Sequence, residues 1–206
     1  MATCQAALNQ IPTLANGVYN LTISSTVIPT YCYYYQGLMW ALVMKTDGTK
    51  ATFGYTSSYW TSQAGLNPGN YAGGLDNNEY QSSLYWQMPF SQMLFGMRFP
   101  YGGSAIQFVA TGTLSTYSSL YSVIQPGNQQ IIGLVTRAQW ESLFNGAASA
   151  DLQNYCNMNG FNLQPNCAYN TFSSCSNLAT SGPSIVRIGY LCNQENDCGT
   201  PDSFIG

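Results

Sequence analysis

The chain has 206 residues, 45% of them hydrophobic, which suits one domain with a sizeable core and excludes a disordered polymer. Only 6% are charged, against about 25% in an ordinary soluble domain, and the net charge is −3. The five cations, Lys45, Lys50, Arg98, Arg137 and Arg187, are too few and too scattered for nucleic acid or an anionic membrane surface.

In chain order, 2–10 is predicted to form a short helix closed by Pro12. Asn16-Gly17 marks a turn, and 18–23 alternates like a strand. Two further strands are predicted at 31–35 and 38–46, the second nearly continuous in apolar residues. Asp47-Gly48 is expected to turn the chain into a hairpin partner at 51–55. Residues 57–74, rich in Gly, Asn, Ser and Tyr, are read as a long ordered loop.

Strands are expected at 84–88, 93–99 and 105–111, and a helix at 113–124. The best-signalled helix is 137–144. Thr136 and Gln139 form a capping box, Trp140 and Phe144 share a face, and Gly146 ends it. Residues 151–181 carry three cysteines among Asn, Ser and Gly, and read as an irregular, disulfide-stapled segment. Residues 185–191 form a strand, with Ile185, Arg187, Gly189 and Leu191 on one face and Val186, Ile188 and Tyr190 on the other. No linker, repeat or charge run divides the chain, so one α+β domain spanning 1–206 is expected.

Seven cysteines with no C-x-x-C pair, in a chain without histidine, point to disulfides and an oxidising compartment rather than a zinc site. An odd count leaves one thiol free or joined to another chain. Asn20-Leu21-Thr22 is the single N-glycosylation sequon. Secretion implies a leader that this numbering leaves out. No run of about 20 apolar residues, the length of a membrane-spanning helix, is present.

Three groups of residues carry candidate chemistry. Glu195, Asp197 and Asp202 lie in or beside a loop expected to be pinched by Cys192 and Cys198. Together with backbone carbonyls they offer oxygen ligands for Ca2+; their alternative use is to cap turns. Asp76 and Glu79 flank Asn77-Asn78. They are an acid–base pair only if space separates them correctly, and without histidine the expectation is that the chain is not an enzyme.

Sixteen tyrosines and four tryptophans form the third group. Tyr31, Tyr33 and Tyr35 share one strand face and Tyr34 lies opposite. Aromatic rings stack on sugar C–H surfaces and tyrosine hydroxyls bond sugar hydroxyls, but tyrosine is equally at home in protein interfaces. In the loop, Tyr59, Trp60, Asp76, Asn78 and Glu79 are the candidate ligand-binding residues. Trp40 and Trp140 read as core.

Several motifs carry a resemblance. Cys4-Gln5-Ala6-Ala7-Leu8 is followed by Gly17-Val18-Tyr19, Tyr31-Cys32, Gly37 and Trp40. Further along stand Leu42-Val43-Met44-Lys45, Phe53-Gly54-Tyr55, Tyr59-Trp60-Thr61 and Met88-Pro89-Phe90. The close runs from Val186-Arg187-Ile188-Gly189 through Asn196-Asp197-Cys198 to Pro201-Asp202-Ser203. This pattern resembles a divergent branch of the fibrinogen C-terminal-like and intelectin-like lectin domains. It covers about the first hundred residues and the last twenty.

The resemblance implies twisted antiparallel sheets with few short helices, long ordered loops and disulfides, among them Cys4–Cys32. The paired-aspartate calcium loop of such lectins is missing here, so their ligand pocket does not carry over. The resulting expectation is a secreted, non-catalytic module that recognises carbohydrate on a glycan or glycoprotein. The alternative is a self-associating structural subunit of an extracellular filament, tubule or surface coat.

Overall fold

The computed structural model describes residues 1–98, 105–143, 155–164, 185–193 and 203–205. It is a mixed, sheet-rich structure with antiparallel sheets and few short helices, compatible with the α+β expectation. By contacts the chain forms two compact units, Met1–Pro89 with Ser118–Ser122, and Phe90–Tyr117 with Val123–Gly206.

The first unit opens on helix α1, Cys4–Gln10. Thr3 Oγ1 accepts from the Ala6 N–H at 2.9 Å and so satisfies one of the free donors of the first turn. Cys4, Ala7 and Leu8, at helical spacing, are buried. The chain then meanders through β1 (Gly17–Ile23), β2 (Thr26–Tyr35) and β3 (Leu38–Ala41), all antiparallel.

Both hairpin turns contain two residues. Ser24 and Ser25 have φ of 47° and 68°, and Gln36 and Gly37 have φ of 49° and 85°. A turn with both central residues left-handed matches the twist of the strands it joins. Pro29 is tolerated inside β2 because β3 pairs with that strand only over Tyr35–Cys32, so no ladder donor is needed at Pro29 on that side.

One sheet face packs Leu21, Ile28, Cys32 and Met39 against Cys4 and Leu8 of α1 and against Leu84. The expected Cys4–Cys32 disulfide lies in this core, with Cα atoms 5.7 Å apart. Gln5 Oε1 accepts from the Met39 N–H at 2.8 Å, tying the helix to the start of β3.

Three expectations for the elements of this unit are corrected. The single strand predicted at 38–46 stops at Ala41, and of its remainder only Met44–Lys45 is a strand, in a different sheet. The hairpin partner predicted at 51–55 does not form. Instead β4 (Met44–Lys45) pairs with β5 (Tyr80–Gln81), and Asp47 turns the chain aside by accepting from the Thr49 N–H at 3.0 Å. The strand predicted at 84–88 is helix α2, Leu84–Gln87. Ser82 Oγ accepts from the Leu84 N–H at 3.0 Å and starts the turn, while Leu84 and Met88, four apart, reach one core. The stretch 57–74, read from the sequence as a loop, has no strand or α-helix. It contains two 3-10 segments, Ser58–Trp60 and Pro68–Gly73.

In the second unit, β6 (Leu94–Met97) pairs with β7 (Gln107–Ala110). Of the helix predicted at 113–124 only α3, Leu120–Ile124, forms, and the chain passes from one unit to the other within it. After β8 (Gln130–Ile131) comes α4, Arg137–Leu143, whose capping box is present: Gln139 N donates to Thr136 Oγ1 and Thr136 N donates to Gln139 Oε1. Trp140 is buried with Val109, Val135, Leu143 and Tyr190.

The segment predicted to be irregular at 151–181 contains a strand instead, β9 (Tyr155–Leu163), lying between β8 and β10 (Val186–Asn193), with β11 (Ser203–Ile205) at the edge. Its Asn and Gly residues are held in place by neighbours, Asn162 with a φ of 51°. A Cβ on Gly160 would lie 1.8 Å from the Gln130 carbonyl oxygen, so β8 can approach only a glycine there. Buried Asn162 donates to the carbonyls of Val123 and Asn128 and accepts from Arg187 at 2.8 Å.

Candidate binding face

The three-stranded sheet of the first unit has one face on the core and one turned away from it. Strand period and register assemble the outer face. Val18 stands opposite Tyr31, Asn20 opposite Pro29 and Thr22 opposite Val27 across β1 and β2. Tyr33 faces Trp40 and Tyr35 faces Leu38 across β2 and β3.

Three tyrosines and a tryptophan therefore share a surface with Val18, Pro29, Val27 and Leu38. The rings are half-buried, while Val27 is 58%, Val18 43% and Leu38 36% exposed. Trp40, read from the sequence as core, belongs to this outer face; its indole N–H donates to the Tyr35 carbonyl at 3.3 Å. Tyr34 lies on the opposite side, as period two requires, and is 48% exposed where the core ends.

A loop platform abuts the tyrosine row. A Cβ on Gly74 would come within 2.9 Å of the Tyr31 ring, and Gly74 has φ of 58°, so both space and backbone favour glycine. Lys45 holds this loop from beneath. Its side chain is 9% exposed, and its ammonium donates to the carbonyls of Asn70 and Gly74, each at 3.0 Å, and to the Asp76 carboxylate. The side-chain amides of Asn67 and Asn70 both donate to the Glu79 carbonyl, at 3.1 and 2.9 Å.

Of the five loop residues singled out from the sequence, Asp76, Asn78 and Glu79 are in this platform, while Tyr59 and Trp60 pack on Phe53. Asp76 bonds Lys45 and accepts from the Asn78 backbone and side-chain amide at 3.1 and 2.6 Å. The Lys45 ammonium, then burial working against it, then Asn78, leave the Asp76 carboxyl below its ordinary pKa of 3.8. Glu79 is buried, accepts from Thr52 Oγ1 at 2.9 Å and lies 3.9 Å from the Lys50 ammonium. Asp76 and Glu79 thus each engage a different lysine.

Trp60 is 6% exposed. Its indole N–H donates to the carbonyls of Phe53 and Gly54, and its ring packs on Phe53 and Tyr85 at 5.5 and 6.5 Å. The Tyr59 carbonyl accepts from Gln81 Nε2 at 3.0 Å, and its half-buried ring meets Phe53 at 5.7 Å. In this arrangement these residues shape the loop, and the sheet beside it presents the aromatic surface.

Asp47, at the surface, has its carboxyl lowered to about 2 by hydrogen bonds from the Thr49 hydroxyl and backbone and from Lys50. Glu195, Asp197, Asp202 and Cys198 lie outside the described residues, as does the side chain of Cys192. Among the described residues no group of three or more His, Cys, Asp or Glu is arranged to hold a metal ion, and no helix is long and apolar enough to cross a membrane. Asn20 is exposed on the outer face of β1.

Comparison with known proteins finds no family model, curated protein or solved structure that matches this chain.

Proposed function

We propose that this chain is an extracellular, non-catalytic binding module of the fibrinogen-like lectin type, recognising carbohydrate through the outer face of β1–β3. The observation that carries the reading is the row of Tyr31, Tyr33, Tyr35 and Trp40 on a single face outside the core. A pyranose ring offers one face of C–H bonds and a rim of hydroxyls. Flat aromatic rings with hydroxyl and indole donors match both at low entropic cost, because each side chain has few rotors to fix. The neutral, amide- and hydroxyl-rich composition supports the same ligand class, and the Cys4–Cys32 disulfide supports an oxidising compartment.

A glycan array, followed by titration calorimetry with the best ligand, tests this. Binding that Tyr33→Ala and Trp40→Ala each weaken while the fold persists is the expected result. A silent array at high protein concentration, or binding indifferent to both substitutions, would overturn it.

A second reading, a structural subunit of an extracellular assembly, is favoured by one observation. Val27, Val18 and Leu38 leave apolar surface open on this same face in a chain with only 6% charge. It requires filaments, sheets or large oligomers by light scattering and negative-stain microscopy, and a monodisperse monomer would remove it.

A further inference from the structure

We infer that Asn20 carries an N-linked glycan whose inner sugars lie on the aromatic face of the chain's own sheet. The inference rests on the extracellular, carbohydrate-binding reading above and names the occupant of part of that face.

The geometry begins with the sequon. Asn20 and Thr22 are two apart in β1, so both side chains project from the same face, and both are exposed. The Thr22 N–H donates to the Met1 carbonyl at 2.7 Å rather than to β2. Asn20, two residues earlier, turns its backbone to the same outer edge, which makes Asn20 and Pro29 a non-hydrogen-bonded pair, the kind in which facing side chains stand closest. The diagonal neighbours across the strand are Tyr31 and Val27.

A sugar attached to the Asn20 amide nitrogen is therefore tethered above Pro29, between Tyr31 and Val27, the most exposed large hydrophobic side chain among the described residues. The tether replaces an encounter in solution by a high effective concentration, so even weak stacking is populated. It also covers apolar surface that is otherwise open to water.

The modification is a group transfer. The Asn20 amide nitrogen attacks the anomeric carbon of a lipid-diphosphate-linked oligosaccharide. A C–N bond forms, the C–O bond to the diphosphate breaks and its electron pair leaves with the lipid diphosphate. The amide loses one proton to the base of the transferase. The Cys4–Cys32 disulfide independently supports passage through an oxidising compartment, where such donors are used.

The test uses the full chain secreted from a eukaryotic host. Peptide mass spectrometry should find Asn20 occupied in the natural sequence and in Thr22→Ser, which keeps the sequon, and unoccupied in Thr22→Ala and Asn20→Gln. Hydroxyl-radical footprinting should then show Tyr31 oxidised severalfold more slowly with the glycan intact than after enzymatic trimming. An unmodified Asn20 overturns the inference, and so does an occupied Asn20 whose trimming leaves Tyr31 labelling unchanged. Neither result touches the proposed function, which is read from the glycan array on the unglycosylated Thr22→Ala protein. A silent array there removes the function and leaves the modification standing.

Discussion

Tyr33 and Trp40 stand directly opposite each other across β2 and β3, on the side of the sheet away from the core that holds Cys32 and Met39. Facing aromatic pairs on a sheet contribute roughly 0.2–1 kcal/mol beyond alanine, and here they do so without deep burial. A double-mutant cycle with Tyr33→Ala and Trp40→Ala should return a coupling energy of about 0.5 kcal/mol by urea unfolding. Zero coupling would mean that the rings do not touch in solution.

The disulfide carries more of the stability. Cys4 and Cys32 close a loop with a sequence separation of 28, for which loop-closure entropy gives about 3.5 kcal/mol. Both sulfur atoms lie in the core beside Leu8 and Leu21. Cys4→Ala with Cys32→Ala should lower the urea midpoint accordingly, and a loss below about 1 kcal/mol would mean that the unfolded chain is already constrained there.

The first hairpin turn is open to improvement. Ser24 and Ser25 both sit at positive φ, where a Cβ costs roughly 1–2 kcal/mol and glycine none. Ser25→Gly should raise stability by about 0.5–1 kcal/mol, and Ser24→Asn with Ser25→Gly by somewhat more. Thermal unfolding reads the change. A lowered midpoint would show that the serine hydroxyls hold the turn by contacts worth more than the strain.

Acid should act through the loop platform. The Asp76 carboxyl titrates below its ordinary 3.8 in the folded chain, so its pairing with Lys45 contributes stability above that pH and loses it as pH falls through the folded value. Asp47, lowered to about 2, follows the same sign over the window from 3.8 to about 2. Hydrogen exchange at residues 67–78 should accelerate below pH 4 ahead of α4. Asp76→Asn should lose about 1–2 kcal/mol at neutral pH, because the Lys45 ammonium then loses its anionic acceptor and keeps the neutral carbonyls of Asn70 and Gly74. The same substitution should flatten the acid response. An unchanged acid profile in Asp76→Asn would place the sensitivity elsewhere.

Signals that act within a few residues are legible in the sequence alone. Thr3 capping α1, the Thr136–Gln139 box of α4 and the period-two tyrosines of β2 all depend on near neighbours along the chain. Pairings across long separations are not legible in that way. Met44–Lys45 finds Tyr80–Gln81 rather than the adjacent 51–55, and β9 forms despite its asparagines because strands on both sides satisfy its backbone. Helix α2 reads as a strand in the sequence because four apolar-rich residues do not distinguish the two periods.

The candidate site divides the same way. Composition and local spacing by themselves determined the low charge, the tyrosine surplus, the sequon and the cysteines, because these are counts and near-neighbour patterns. Tertiary structure alone decided that Trp40, not Trp60, joins the tyrosines on the outer face, and that Asp76 and Glu79 serve separate lysines. It also placed Asn20 on that face, beside Tyr31. Register does this: pairing β1, β2 and β3 in one alignment fixes which side of the sheet every residue occupies, and a slip of one residue would exchange core for surface.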